Sequence, residues 1–277
     1  MKRVILSLVM VMAFLAAPIL GSAQVYTWTK TSMNGSRTGV GVPAADGFEK
    51  TLGRVCGKTY YAPNGKVYKG GTIGKVAKAV LAAQPTMAEV KKVVGYSPVA
   101  MTRKGPDATL PGWAVKVIME RTAQEAGKRV DVGILNYGGI RVDMPQGNIL
   151  VDDILSMFPF KNSLEYVSVK GSRLREILDG MAAGKMQVLG GVKLVVKDGR
   201  AESILIDGKP LDDEATYGLA TISFLLNGGD NLFLGEGAEE VVDIPIDIYD
   251  VVMDYIVAQT AAGKNISAEP DRFVTYL

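Results

Sequence analysis

Two Asp-Gly pairs, at 198–199 and 207–208, constrain the fold of this chain more than any other feature of its sequence. Each pair separates short runs rich in β-branched and other apolar residues, and Asp-Gly in that position favours a tight two-residue hairpin. The strands around 192–210 must therefore pair antiparallel. Elsewhere strands and amphipathic helices alternate without a strict βαβ repeat. The sequence thus predicts an α/β fold of mixed sheets with covering helices.

Apolar spacing places the other elements. The spacing predicts helices over 75–83, 87–94, 112–126 and 151–157, a helix capped by Ser172, and a last helix that ends near Gly263. Buried strands are predicted over 130–136, 164–170 and 217–224. The last of these strands ends at Phe224.

The first 23 residues have the pattern of an export signal. Lys2 and Arg3 precede an apolar run over 4–20, and small residues at 21–23 form a cleavage site. A membrane anchor is the alternative, but a proline interrupts the run. We therefore expect an exported protein, located in the periplasm, at the cell surface or outside the cell.

A neutral charge balance narrows the choice of partners. The chain has 31 basic and 29 acidic residues, and loss of the signal removes two basic ones. Without a basic excess, neither nucleic acid nor a membrane surface is an expected partner. No later segment approaches the roughly 18 apolar residues of a membrane span. The single Cys56 cannot form an internal disulfide, so the core must hold the exported chain together.

Three short motifs carry most of the recognisable chemistry. They are Asn-Tyr-Gly-Gly-Ile-Arg at 136–141, Phe-Pro-Phe-Lys-Asn at 158–162, and Phe-Leu-Leu-Asn-Gly-Gly-Asp at 224–230. Each places an aromatic ring or a polar fork beside glycine or proline at the end of a predicted strand or helix. Such an arrangement is suited to stacking a base and holding a sugar.

The first motif combines a turn with hydrogen-bonding side chains. Gly138 and Gly139 allow a tight turn that presents backbone N–H groups. Asn136 both donates and accepts, as a base edge requires, and Arg141 offers a planar fork of donors to a phosphate or hydroxyls. A glycine turn with an arginine salt bridge is the alternative, and it would bind no ligand.

The second and third motifs add two rings and a carboxylate. A proline fixes Phe160, and Phe224 precedes a turn at Asn227 and Gly229. Asp230 then supplies a carboxylate that can accept both hydroxyls of a ribose. Two rings around a base would each contribute about 1–3 kcal/mol. The alternatives are core phenylalanines and a turn aspartate bonded to nearby backbone.

In this order, the three motifs resemble the C-terminal domain of the 5′-nucleotidase family, over roughly 73–277. The stretch 188–191 (Val-Leu-Gly-Gly) before a strand fits the same pattern. The resemblance implies a four-layer α/β/β/α domain that binds the nucleoside part of a nucleotide. It implies that Phe160 and Phe224 stack on the base. The full implied set is Asn136 at the base, Arg141 and Asp230 at the ribose or phosphate, and Gly138, Gly139, Phe160, Gly190, Gly191, Phe224, Asn227 and Gly229 around them.

Three segments follow from this interpretation. Residues 1–23 are the predicted signal and 73–277 the recognition domain. Residues 24–72 form a small extension of unreadable role, with a predicted hairpin turn at Asn64-Gly65.

The chain also departs from the family's pattern. The family's helix before the first motif opens with Gly-Asn and carries an Asp one turn later, whereas this chain has Gly112-Trp113 and then Lys116. The nearest counterpart of a second family arginine is Arg121. A surface ion pair with Glu125, four residues on, is its alternative role.

The chain contains no histidine. Members of the family hold two catalytic metals with Asp, Asn and several His residues of an N-terminal metallophosphatase domain. Without imidazole, neither that metal pair nor a Ser-His or Cys-His nucleophile can be built here. We therefore expect no catalytic residue and no cofactor in this chain, and divalent metals on a separate metallophosphatase chain. The expected function is nucleoside or nucleotide recognition within an exported 5′-nucleotidase; the alternative is a non-catalytic nucleotide-binding surface protein.

Overall fold

The computed structural model describes residues 38–41, 47–105, 108–270 and 272–277. The predicted export signal lies outside these residues, as does the first part of the predicted extension. Every helix in the described ranges is too short or too polar to cross a membrane.

A small N-terminal unit precedes the main domain. Its elements are α1 (Glu49–Leu52), β1 (Arg54–Cys56), β2 (Thr59–Tyr61), β3 (Val67–Lys69) and α2 (Gly71–Ala83). The three strands form an antiparallel sheet in chain order, and α2 packs on that sheet. Tyr61 pairs with Val67 across the predicted turn at Asn64-Gly65, which confirms this hairpin. Because α2 begins at Gly71, the unit extends across the segment boundary predicted after residue 72.

The main domain contains the remaining helices and strands of the described residues. In chain order they are β4 (Val93–Ser97), α3 (Leu110–Ala126), β5 (Val132–Leu135), β6 (Gly147–Leu150), α4 (Val151–Met157), β7 (Ser163–Lys170), α5 (Gly171–Ala183), β8 (Val188–Gly190), β9 (Val192–Lys197), β10 (Arg200–Ile206), β11 (Lys209–Pro210), β12 (Thr216–Ile222), α6 (Ser223–Leu226), β13 (Glu240–Asp247), α7 (Ile248–Ala261) and β14 (Val274–Tyr276). Short 3₁₀ turns lie at Gln84–Met87, Glu89–Lys91, Tyr137–Gly139 and Gly229–Asn231.

A five-stranded sheet in the order β13-β7-β12-β5-β8 forms the centre of this domain. Its β12–β5 pair is parallel, and its other pairs are antiparallel. Strands β5, β7 and β12 are buried on both faces over most of their length, although only β5 lacks polar side chains. Helix α3 packs across the sheet and against α7, which also contacts β4 of a β4–β6 pair.

A second sheet, in the order β11-β10-β9-β14, contains the two predicted hairpins. Asp198 and Gly199 have φ of 49° and 73°, and Asp207 and Gly208 have φ of 52° and 72°. Positive φ at both central residues is the geometry of a type I′ turn, so both predictions are confirmed. Strand β14 pairs parallel with β9, and α5 packs against β10. The predicted α/β class with mixed sheets is therefore confirmed.

Three local predictions are wrong. Residues 87–94 form 3₁₀ turns and the start of β4 rather than a helix, because β4 pairs with β6. Ser172 does not cap α5, which begins one residue earlier and has no side-chain cap. Phe224 lies on the helical turn α6 rather than on the strand before it. By contrast, α4 has its predicted bounds.

A buried carboxyl group lies in β7. Glu165 is 4% exposed, and its Oε2 has no hydrogen-bond partner. Asp243 lies opposite it on β13. Burial, and next the negative charge of Asp243, raise the pKa of Glu165 from 4.5 to about 7. Glu165 is therefore protonated in the folded state at pH values where the unfolded chain ionises it.

This carboxyl makes stability depend on pH. Between the unfolded pKa of 4.5 and the folded pKa of about 7, the folded state binds more protons, so the contribution of Glu165 is complete below that window and is lost as the pH rises through it. We expect the free energy of unfolding, measured in urea, to fall from pH 5 to pH 8 and Glu165→Gln to flatten that fall. Glu202→Gln, on the exposed surface of β10, should not change the slope. Equal slopes in the wild type and Glu165→Gln would contradict this assignment.

Candidate functional site

Three strand ends bring the sequence motifs to one edge of the central sheet. Strand β5 runs parallel to β12, so both end at this edge, and β7 begins there because it runs antiparallel to β12. Leu164 of β7 pairs with Ile222 of β12. The backbone N–H of Ser163 donates to Ser223 Oγ at 3.1 Å, which ties the segment after Phe160 to the residue before Phe224.

The first motif forms a tight turn under an asparagine side chain. Asn136 is 8% exposed, and its carbonyl accepts the N–H of Gly139 at 3.0 Å. A Cβ on Gly139 would lie 2.6 Å from Asn136 Oδ1. Glycine is therefore required at this position by the side chain folded over it, as well as by the turn.

Arg141 and Phe160 meet beside this turn. The Arg141 guanidinium carbon lies 5.8 Å from the centroid of the Phe160 ring, and its Nη1 donates to the Gly138 carbonyl at 3.2 Å. Phe160 is 47% exposed, whereas Phe158, two residues earlier, is 3% exposed. The second motif therefore supplies one core ring and one surface ring.

A shallow notch lies beneath the Phe160 ring. Asn136, Gly139, Phe160 and Asn162 contribute to its wall, and its volume of about 10 Å³ holds one water molecule at most. A base would therefore lie over the notch, against the exposed rings, rather than inside it. Asn162 is a site residue that the sequence prediction omitted, although it closes the Pro-Phe-x-Asn part of the second motif.

The third motif presents Phe224 on α6. This residue is 42% exposed, and its ring covers the backbone of Gly229, where a Cβ would meet the ring 2.5 Å away. Asn227 points elsewhere, because its Nδ2 donates to the Ser223 carbonyl at 2.8 Å. The structure thus gives Phe224 an exposed stacking surface and gives Asn227 a role in closing α6.

Asp230 lies in a loop of left-handed backbone. Its φ is 50° and that of Asn231 is 62°, a conformation that Asp and Asn adopt more readily than other residues with a Cβ. Oδ1 of Asp230 pairs with Lys185 Nζ at 3.1 Å, while Oδ2 is buried without a partner. Lys185 was not predicted, because it lies 45 residues away in the chain and no local pattern marks it.

Gly190 and Gly191 lie away from this cluster. Gly190 pairs with Gly133, two residues before the end of β5, and a Cβ there would meet Met119 Sδ at 2.8 Å. Gly191 has φ +74° and its Cα hydrogens face the Asp131 carbonyl too closely for any Cβ. Packing between α3 and β5 accounts for both glycines, and the structure does not bring them to the notch.

Comparison with models of protein families shows to which family this chain belongs. The model for the 5′-nucleotidase C-terminal domain matches residues 87–236, more than half of the 277 residues. The chain belongs to the 5′-nucleotidase C-terminal domain family. The predicted resemblance is therefore confirmed.

Relatives and solved structures agree with this family. Apyrase of Tabanus yao is 30% identical over 148 residues, which are 46% of this chain and 27% of that protein. Silent protein UshA(0) of Salmonella typhimurium is 34% identical over 113 residues, 39% of this chain and 20% of that protein. The chain thus matches about a quarter or less of these relatives' length. The 5′-nucleotidase precursor from Thermus thermophilus has a TM-score of 0.63 at 22% identity, over 80% of this chain and 50% of that one, which shows the fold.

Helix α3 of this 5′-nucleotidase C-terminal domain carries the departures from the family pattern. Trp113 is 5% exposed and packs edge-on against Tyr255, with ring centroids 5.8 Å apart. Arg121 pairs with Glu125 at 2.8 Å and with Asp254 at 3.3 Å. The predicted i,i+4 pair is therefore present, and both positions serve packing between α3 and α7.

The described part of the domain does not fit a catalytic metal pair. Within it, no group of three or more His, Cys, Asp or Glu side chains is placed to hold a metal ion. Asp153, beside Asp152, accepts the Leu150 N–H at 2.8 Å and so begins α4. The Asp153 carboxylate therefore has a structural role.

Replacement of two glycines tests the role assigned to the 190–191 pair. We expect Gly191→Ala to destabilise the domain more than Gly208→Ala, by about 1–3 kcal/mol in urea unfolding, since overpacking adds to the backbone strain. The two positions share φ near +73°, but a Cβ at Gly208 meets nothing within 4 Å. Equal losses of stability in the two variants would show that the contact with the Asp131 carbonyl does not require glycine at position 191.

Proposed function

We propose that this chain is the nucleoside- or nucleotide-recognition component of an exported 5′-nucleotidase. In this proposal, divalent metals on a separate metallophosphatase chain catalyse phosphomonoester hydrolysis. This chain would hold the substrate where the two chains meet. The family membership supports the recognition role, and the donor set of the chain supports the division of labour.

Two exposed rings at one sheet edge carry the proposal. Phe160 and Phe224 are 47% and 42% exposed, and both belong to segments joined by the hydrogen bond from Ser163 to Ser223. Keeping two large apolar rings in water is unfavourable by itself. A base stacked against them would remove that surface from water and add ring–ring attraction.

Polar groups around the rings suit the rest of a nucleotide. Arg141 is held by a carbonyl and a ring, neither of which neutralises its charge. Its guanidinium therefore still favours a phosphate or sugar hydroxyl. Asp230 Oδ2 lacks a partner, so a ribose hydroxyl donating to it would satisfy a buried acceptor. In the ligand complex, Lys185 would keep this carboxylate oriented.

Catalysis is assigned to another polypeptide because of the donor groups present. The sequence has no histidine, and among the described residues no three Cys, Asp or Glu side chains are placed to hold a metal ion. The chain would therefore bind, orient and shield the nucleoside, and contribute no metal ligand. Export is proposed from the apolar segment at the start of the sequence, followed by small residues.

Ring removal tests recognition directly. We expect Phe224→Ala to weaken adenosine and AMP binding by about 1–3 kcal/mol, or about 5- to 150-fold in Kd, as measured by calorimetry. Tyr96→Ala is a matched control, because Tyr96 is a similarly exposed ring, 47%, on the β4–β6 pair. No heat with either ligand in any protein would contradict recognition and leave a structural role.

A turnover assay tests the division of labour. We expect the isolated chain to release no phosphate from AMP above the buffer rate with Mg²⁺, Mn²⁺ or Zn²⁺, since it supplies no ligand cluster for a metal pair. Chelator-sensitive turnover that Phe224→Ala reduces would belong to this chain and contradict the proposal. Tight binding with no catalytic partner recoverable from the source would favour the non-catalytic binding protein instead.

A further inference from the structure

A wide groove on the main domain lies next to the first motif but is distinct from the notch under Phe160. Its volume is about 610 Å³, within the range of small-molecule sites. Tyr137 contributes to its wall, whereas the flanking Asn136 and Gly139 face the notch. The other walls are the start of α3, the segment 186–189 and the segment 272–276.

The groove contains a buried amide with an unmet hydrogen bond. Gln187 is 1% exposed, and its Oε1 accepts the Tyr137 backbone N–H at 3.3 Å. That bond fixes the orientation of the amide, so Nε2 is the donor, and it has no partner. A buried donor without a partner is unfavourable, because it has lost its hydrogen bonds to water. An acceptor atom on a bound molecule would restore one of them.

Aromatic rings and the Arg272 cation contribute to the wall of the groove. Tyr137 and Tyr276 are 44% and 64% exposed, and Phe273, three residues before Tyr276, also lines the groove. Burial, and next the Tyr276 hydroxyl, raise the pKa of Tyr137. Arg272 is the charged residue among the described residues of the wall, which include no Asp or Glu.

We propose that this groove is a second ligand site, for a planar ring that bears a carbonyl acceptor and an anionic group. The carbonyl accepts from Gln187 Nε2, the ring stacks on Tyr276, and the anion pairs with Arg272. The ligand needs no donor group at this position, such as the amino group of adenine, because the unpaired Nε2 of Gln187 is itself a donor. Since Gln187 also holds the Tyr137 N–H, ligand in the groove contacts the same turn that forms the notch.

The test uses a background in which the proposed nucleoside site is silenced. In Phe160→Ala/Phe224→Ala protein, titration calorimetry with UMP and with GMP measures binding to the groove alone. Both probes carry ring carbonyls and a phosphate. We expect saturable binding of one equivalent of at least one probe, with Kd below about 1 mM.

Further substitutions in that background locate the bound probe. Gln187→Met and Tyr276→Ala should each weaken binding at least about tenfold, whereas Tyr96→Ala should not. Tyr276 is largely exposed, so its replacement keeps the fold intact even where Gln187→Met does not. No saturable binding of either probe, or equal affinity in Tyr276→Ala and Tyr96→Ala, would overturn the proposal. If the wild type and Phe160→Ala/Phe224→Ala bind adenosine equally, the proposed nucleoside site is contradicted and the proposal for the groove is not.

Discussion

The pairing of β12 with different strands on its two sides determines where every recognised group lies. On one side β12 pairs antiparallel with β7, and on the other it pairs parallel with β5. A buried hydrogen bond of 3.0 Å from Thr221 Oγ1 to the Ile134 carbonyl ties β12 to β5 within the sheet. Because of these directions, Asn136, Phe160 and Phe224 all follow or precede strand ends at one edge. An antiparallel β5 would have placed Asn136 at the opposite edge.

Several features that are unfavourable for stability lie at or near this edge of the sheet. The Phe160 and Phe224 rings stay exposed, and acceptor Oδ2 of Asp230 and donor Nε2 of Gln187 remain unpaired. Buried polar atoms without a partner are rare in native domains, and a missing ligand is one explanation for them. The proposed nucleoside site at the notch and the proposed ligand site at the groove would together account for these features. Glu165 Oε2 and Thr122 Oγ1 are also unpaired but lie away from this edge, and the raised pKa of Glu165 lets its neutral form remain in the core.

Much of the fold could be predicted from local sequence, since its signals are local. The two Asp-Gly turns need positive φ at two adjacent residues, and few other dipeptides allow it. Helix α4 begins where Asp153 caps it. The prediction of a helix over 87–94 was wrong because β4 forms by pairing with β6, about 50 residues later. This tertiary pairing overrides the local propensity. The main domain nevertheless has the class that the pattern indicated.

Part of the site could also be predicted, because some of its sequence signals are local. Asn136, Arg141, Phe160 and Phe224 lie in compact motifs, whereas Lys185 reaches Asp230 only through the tertiary fold. Gly190 and Gly191 matched a family pattern, but their own contacts are with α3 and Asp131. A motif identifies residue types at a spacing, and it does not say which face of the sheet edge they occupy.

Phe160 and Phe224 are proposed to hold a base between them at this edge. A crystal structure of the chain with adenosine would test this arrangement. We expect the adenine to be stacked between the two rings over the notch, with a ribose hydroxyl within hydrogen-bond distance of Asp230 Oδ2. Adenine bound elsewhere, with both rings still facing solvent, would contradict it.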